Sequence, residues 1–224
     1  MRYLAFKFNL QKTKKMLFNY EKNGAAIYKE SFATIRAEAD LSAFTPEEEI
    51  IAVRMIHASG MVTLAQSIKF TSDFAVEARA AIEKGAPILC DTKMVSEGIT
   101  RSRLSKSNQI ICTLQDPRVR AMSKNAGNTR SAVAIELWRP YLEGGIVAIG
   151  NAPTALFHLL NLLKDPDYPR PAAIIGCPVG FVGARESKEA LLSSAPVPCC
   201  ITTGRLGGSA ITVAAINALA SDSE

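Results

Sequence analysis

The chain has 224 residues, of which 48% are hydrophobic and 21% are charged, a composition typical of globular proteins with a sizeable core. Its formal net charge of +5 comes from residues 1–15, which carry five basic side chains and no acidic one. The rest of the chain is neutral, which argues against nucleic-acid binding through a basic folded surface. The sequence contains no run of 18 apolar residues, so it predicts no membrane span.

Neither the N-terminus nor the cysteines indicate secretion. The apolar stretch near the start is short, Lys7 interrupts it, and no small-residue cleavage site follows. We expect residues 1–15 to be a poorly ordered basic tail ahead of one domain spanning 16–224, because no linker divides the chain. The five cysteines are odd in number and lack CxxC spacing, which favours reduced structural thiols in a cytoplasmic protein.

The first third of the chain predicts helices. Residues 25–39 have helical spacing of their apolar positions. A second helix is predicted from Thr45, a good N-cap followed by proline and acids, to about Gly60. A third is predicted over 73–84, where Gly85 and then a proline stop it.

The remaining chain alternates short apolar runs with helical stretches. The runs lie at 87–90, 109–114, 146–149, 172–175 and 197–201. The helical stretches lie at 117–125, 130–142, 153–164, 184–193 and 209–220. Short, uniformly apolar runs separated by helices predict buried parallel strands. We therefore expect an α/β protein with a five-stranded parallel sheet in a three-layer α/β/α sandwich.

Ligands of such sheets bind beyond the carboxyl ends of the strands. Polar residues follow each run, beginning with Asp91, and two runs lead into glycine-rich turns, GCPVGFVG at 176–183 and GRLGGSA at 204–210. Glycine lets backbone N–H groups approach a phosphate or carboxylate. It equally permits a tight strand–helix connection, and neither turn matches the spacing of a dinucleotide or P-loop motif.

Histidine is rare here, with only two in the chain. His57 follows Ile50 and Val53 by seven and four residues, so the three share a helix face that we expect to turn inward. Arg54 lies about one turn away, so the pair could hold an anion and donate a proton to it. A satisfied core histidine beside a surface arginine fits the same pattern. His158, within an apolar helical stretch, is predicted to be structural.

Arg130 is placed unfavourably for its helix. Thr129 is the expected N-cap, which puts Arg130 in the first turn, where a cation opposes the helix dipole. This local cost favours a ligand-binding role, although an ordinary solvated arginine remains an alternative.

Several long segments resemble the precorrin-8X methylmutase family of cobalamin biosynthesis. They are AIYKESFATIRAEADL, VRMIHASG, GAPILCDTKMVSEGITRSRL, IICTLQDP, GNTRSA, VAIGNAPTALF, PVGFVGARESKEAL and GRLGGSA. They occur in one order from about residue 20 to 220, which is far more specific than any single motif.

The resemblance implies a flavodoxin-like fold and an isomerase that shifts a methyl group from carbon 11 to carbon 12 of precorrin-8X, giving hydrogenobyrinic acid. It implies a tetrapyrrole ligand, no cofactor or metal, and a homodimer with its active site near the interface. The family's catalytic histidine falls on His57, and its substrate-binding positions fall on Ser31, Arg54 and Arg130.

Three alternatives remain open from the sequence. The substrate could be the cobalt-containing precorrin-8 of the oxygen-independent route. The chain could be a non-catalytic tetrapyrrole-binding protein, although such a protein would not need His57. A flavin-binding module would fit the fold class, but no flavin-type phosphate loop is evident.

Overall fold

A computed structural model describes residues 18, 20–104 and 106–221, so the predicted tail over 1–15 lies outside the described residues. In chain order, the elements are α1 (Gly24–Glu38), α2 (Pro46–Ser59), β1 (Ile68–Phe70), α3 (Phe74–Glu83), β2 (Ile88–Cys90), α4 (Lys93–Gly98), β3 (Ile110–Ile111), α5 (Pro117–Ala126), α6 (Arg130–Ala134), α7 (Arg139–Leu142), β4 (Ile146–Ile149), α8 (Pro153–Leu162), β5 (Ala173–Gly176), α9 (Ala184–Ser194), β6 (Cys199–Thr202) and α10 (Ser209–Leu219).

The strands form one sheet in the order β1-β6-β5-β4-β2-β3. The five predicted strands are β2 to β6, and they pair with one another in parallel. Their relative order is the 2-1-3-4-5 order of flavodoxin-like folds, which confirms the predicted fold class. The sheet also has a sixth strand that the sequence did not predict, β1, which pairs antiparallel with β6 at the edge.

Helices cover both faces of the sheet. On one face, alternate strand residues such as Ile146 and Ala148 pack in a core with α2, α3 and α10, and α1 packs on α2. On the other face, Val147 and Ile149 pack with α8, α9 and the segment around Trp138. Because both faces are covered, the central strands are apolar at every position, and the layered architecture is confirmed.

One predicted helix differs in detail from the structure, and one observed helix was not predicted. The helix expected over 130–142 is three short pieces, α6, a 3₁₀ turn at Ile135–Trp138, and α7. Pro140 accounts for the break, since proline lacks an N–H and its ring clashes with the preceding turn of a helix. The short helix α4 was not predicted at all.

Candidate active site

His57 lies in the last turn of α2, the helix that begins with the predicted Thr45 cap. The Thr45 hydroxyl accepts from the Glu48 N–H at 3.3 Å, and the Glu48 carboxylate accepts from the Thr45 N–H at 3.0 Å. Gly60 ends the helix with φ of 67°, and its N–H donates to the Ile56 carbonyl. These two caps fix the length of α2 and therefore the position of His57.

The His57 side chain is exposed, although we predicted that it would face the interior. Val53, one turn earlier, is buried as predicted. The His57 ring instead lies against α1, with its centroid 5.4 Å from that of Tyr28 and 5.2 Å from that of Phe32. The imidazole therefore has one side packed on aromatic rings and another open to a ligand.

Ser31 and His57 line the same cavity, which has a volume of about 450 Å³. We call it the His57 cavity. Its walls come from α1, from the end of α2 and from the turn that follows. Besides His57, its charged side chains among the described residues are Glu30 and Glu38. The cavity can thus present an imidazole and a hydroxyl to a ligand, but its other charges are negative.

Arg54 is not among the residues that line this cavity. It is buried, and its guanidinium carbon is 5.3 Å from the centroid of the Phe32 ring, which also contacts His57. The structure therefore brings Ser31, Arg54 and His57 together around Phe32.

Arg130 lies elsewhere, at the start of α6. As predicted, the Thr129 hydroxyl caps this helix by accepting from the Ala132 N–H at 3.2 Å. The same hydroxyl is 2.8 Å from that of Thr154 at the start of α8. Arg130 is exposed and is not among the residues that line the His57 cavity. Its position is therefore tied to the turn after β4.

Asp91 occupies the point where a flavodoxin-like sheet usually binds its ligand. The strand order reverses between β2 and β4, which creates a crevice at their carboxyl ends. The buried Asp91 carboxylate accepts from the backbone N–H groups of Gly150, Asn151 and Ala152 at 3.0, 2.9 and 2.8 Å. Burial raises the pKa of Asp91, and the three N–H donors oppose that rise. The chain's own carboxylate thus fills the anion site.

The two glycine-rich turns after β5 and β6 contact each other. The Gly208 N–H donates to the Cys177 carbonyl at 2.8 Å. Gly207 has φ of 149°, and a Cβ there would lie 2.3 Å from the Cys177 carbonyl oxygen, so only glycine fits. Arg205 stacks on Phe181 with 4.9 Å between the guanidinium carbon and the ring centroid. The turns therefore form one unit at the carboxyl edge of the sheet.

Buried Lys188 anchors this unit through a hydrogen bond to its backbone. The side chain is fully buried, and its ammonium donates to the Leu206 carbonyl, which also accepts from the Thr202 hydroxyl at 2.8 Å. Burial lowers the pKa of Lys188 to about 8, while nearby Cys177 acts in the opposite direction. We did not single out Lys188 from the sequence, although it occupies the buried helical face of α9 with Ala184, Ser187 and Leu191. A lysine at helical spacing within an apolar face was the available signal.

The remaining sequence predictions concern histidine, cysteine, metals and membranes. His158 is half-buried on α8, with Nε2 3.0 Å from the Glu136 carboxylate. All five cysteines are free thiols, as predicted. Within 18, 20–104 and 106–221, no three His, Cys, Asp or Glu side chains are grouped as metal ligands. Over the same residues, no helix is long and apolar enough to cross a bilayer.

The fold and these contacts define a class: a flavodoxin-like α/β protein whose usual anion site is filled internally and in which the His57 cavity lies at the end of a covering helix. The chain belongs to the precorrin-8X methylmutase family, whose model matches residues 26–222. This match confirms the family predicted from the sequence segments. Members of the family are isomerases.

Individual relatives agree with this assignment. A precorrin-8X methylmutase of a Sinorhizobium species is 58% identical over 204 residues, covering 91% of this chain and 97% of the relative. A cobalt-precorrin-8 methylmutase of Priestia megaterium is 38% identical over 190 residues, covering 84% of each chain. The crystal structure of a precorrin-8X methylmutase from Thermus thermophilus superposes with a TM-score of 0.81 at 36% identity, covering 90% of this chain and 100% of that one.

Proposed function

We propose that this chain catalyses the intramolecular shift of a methyl group from carbon 11 to carbon 12 of precorrin-8X, giving hydrogenobyrinic acid. The observation that supports this most is the placement of His57 and Ser31 in one cavity of a chain that belongs to the methylmutase family. Substrate and product have the same atoms, so the protein must supply only binding, orientation and a proton.

His57 is the proton donor in this proposal. Protonating the conjugated ring system draws electron density from the carbon that receives the methyl group and lowers the barrier to migration. The proton returns to the imidazole once the new carbon–carbon bond has formed and the old one has broken. General acid catalysis of this kind typically contributes about 10²–10⁴-fold to a rate. The rings of Tyr28 and Phe32 hold the imidazole in place while its exposed side stays accessible.

Substrate binding is assigned to Ser31, Arg54 and Arg130. The Ser31 hydroxyl, beside His57, can bond a polar group near the reacting carbon. Arg54 and Arg130 are suited to the peripheral acetate and propionate groups, since guanidinium pairs with carboxylate through two parallel hydrogen bonds. Arg54 is buried against the Phe32 ring, whereas Arg130 is exposed at the start of α6.

The metal-free substrate is favoured over the cobalt-containing one. This chain is 58% identical to the Sinorhizobium precorrin-8X enzyme but 38% identical to the Priestia cobalt-precorrin-8 enzyme. One observation supports the cobalt-containing substrate as a second candidate: the Priestia cobalt-precorrin-8 enzyme matches over 84% of the chain. No cofactor or metal is required for the proposed reaction.

We also propose that residues 16–224 act as one domain and that the protein is a cytoplasmic homodimer with the site near the subunit interface. The family match over 26–222 supports the single domain, and the exposed position of His57 leaves room for a partner beside it. Light scattering during gel filtration should give twice the mass of the 24.1 kDa chain. A monomer with full activity would contradict the dimer proposal.

The function itself is tested by incubating the purified protein with precorrin-8X and, separately, with its cobalt-containing counterpart. We expect conversion of the metal-free substrate to the orange product, followed by its absorption spectrum, and slower conversion of the other. Faster turnover of the cobalt substrate would favour the second candidate. Binding of both without any conversion would support a non-catalytic tetrapyrrole-binding protein.

A further inference from the structure

A second cavity lies on the other side of the end of α2. It has a volume of about 350 Å³ and is lined by Ala58, Ser59 and Met61 together with Val179, Phe181 and Arg205 of the glycine-rich turns. We call it the Arg205 cavity. Ser59 and Met61 flank Gly60, which itself lines the His57 cavity. The two cavities therefore adjoin across one turn of backbone.

The charges of the two cavities differ in sign. The His57 cavity has Glu30 and Glu38 on its wall, which would repel the carboxylates of a tetrapyrrole. Among the described residues that line the Arg205 cavity, Arg205 is the one charged side chain. A ligand with an uncharged reacting edge and an anionic periphery is therefore complementary to the two cavities taken together.

Apolar side chains around Arg205 add a flat contact surface. Phe181 is 83% exposed and Val182 is 89% exposed, which is unusual for residues of this size. Arg205 lies over the Phe181 ring at 4.9 Å, so the guanidinium is oriented while its outer edge stays available. An aromatic ring next to a fixed cation suits a planar conjugated ligand with carboxylates.

The Arg205 cavity is held rigidly from inside the protein. Buried Lys188 and Thr202 both donate to the carbonyl of Leu206, the residue after Arg205. The Gly180 N–H donates to the Arg205 carbonyl at 3.4 Å, which links the second turn to the first. A binding group on such a support keeps its geometry before the ligand arrives, which reduces the entropy lost on binding.

We propose that the Arg205 cavity is a second subsite for the tetrapyrrole. It binds a carboxylate-bearing part of the periphery away from the reacting carbon, with Arg205 pairing the carboxylate and Phe181 contacting the ring. Arg205 and Phe181 are thus binding residues, and Lys188 is a positioning residue that acts through the Leu206 carbonyl. The inference rests on the proposed function, since the ligand is the substrate of that reaction.

The test compares Arg205→Ala, Arg205→Lys and Phe181→Ala with a matched control, Arg185→Ala. Arg185 is also exposed and close in sequence, but it pairs with Glu189 at 2.6 Å on α9. Hydrogenobyrinic acid binding is measured by calorimetry at low and high salt, and turnover is measured at saturating precorrin-8X.

We expect Arg205→Ala to weaken binding about tenfold at low salt, because it removes a charge-assisted contact. Arg205→Lys should recover part of that loss, Phe181→Ala should lose a few-fold, and Arg185→Ala should match the wild type. Arg205→Ala should lower kcat/KM about tenfold, mainly through a higher KM, whereas Arg185→Ala should keep both kcat and KM.

Two results separate this inference from the proposed function. Unchanged binding and KM in Arg205→Ala, in a protein whose wild type converts precorrin-8X, would overturn the subsite and leave the function intact. Weaker binding in Arg205→Ala, in a protein whose wild type converts neither substrate, would support the subsite and overturn the function.

Discussion

Two regions at the carboxyl edge of the sheet are each bonded to a buried charged side chain, but the outcome differs. Asp91, which follows β2, accepts hydrogen bonds from three backbone N–H groups of the turn after β4 and fills the anion site of the fold. Lys188 of α9 donates to the Leu206 carbonyl in the turn after β6. Next to this bond, Arg205 is exposed and the Arg205 cavity stays open. The comparison teaches that this flavodoxin-like protein has closed the usual ligand crevice, whereas the His57 and Arg205 cavities stay open beside the end of α2.

The largest effect is the loss of folding stability that we expect when Asp91, which fills the anion site, is replaced. Asp91→Ala would leave the buried N–H groups of Gly150 and Ala152 without an acceptor, and each such group costs about 1–3 kcal/mol. We expect the free energy of unfolding in urea to fall by at least about 2 kcal/mol, with Asp167→Ala, an exposed aspartate, as the control. Inorganic phosphate should raise the melting temperature of Asp91→Ala but not that of the wild type. Wild-type stability in Asp91→Ala would show that the carboxylate is not needed there.

The next effect separates the two proposed carboxylate-binding arginines. Arg54→Ala and Arg130→Ala should each weaken hydrogenobyrinic acid binding by about 1.5–3 kcal/mol, more at low salt. Only Arg54→Ala should also lower the stability of the protein, because Arg54 is buried against Phe32 whereas Arg130 is exposed. Calorimetric dissociation constants that are unchanged in both variants would place the substrate carboxylates elsewhere.

A smaller effect is the contribution of buried Lys188 to the pH dependence of folding stability. The pKa of Lys188 is lowered to about 8 in the folded protein, from an ordinary value of 10.5. Between these values the unfolded chain binds a proton that the folded chain has released, so this group makes stability rise with pH across that window. Between pH 8 and 10, the urea concentration at the midpoint of unfolding should rise less for Lys188→Met than for the wild type. Parallel pH profiles would show that Lys188 does not titrate in this range.

The sequence predicted most of the fold because the central strands are uniformly apolar and separated by clear helices. It did not predict β1, a three-residue edge strand whose middle residue, Lys69, is exposed, because the segment is too short to show a period. Helical spacing placed His57 on one face with Val53, but the His57 ring contacts α1 on one side and is otherwise exposed.

Contacts between distant residues explain the rest of what was missed. Asp91 was recognised as a residue at a strand end, but its three donors lie about 60 positions further along the chain. Only the fold shows that β2 and β4 are neighbours and that Asp91 therefore fills the crevice. The pairing of the glycine-rich turns across Gly207 and Gly208 is equally invisible in the sequence, although each turn was identified as a candidate binding element.

The most direct test of the account is single-turnover conversion of precorrin-8X by His57→Ala, with His158→Ala as the matched control and hydrogenobyrinic acid binding measured on the same preparations. Removing a proton donor weakens the transition state more than the ground state. The account predicts that His57→Ala loses at least about 10²-fold in rate while binding product within a few-fold of the wild type, and that His158→Ala keeps both properties. Turnover by His57→Ala within a few-fold of the wild type would contradict it.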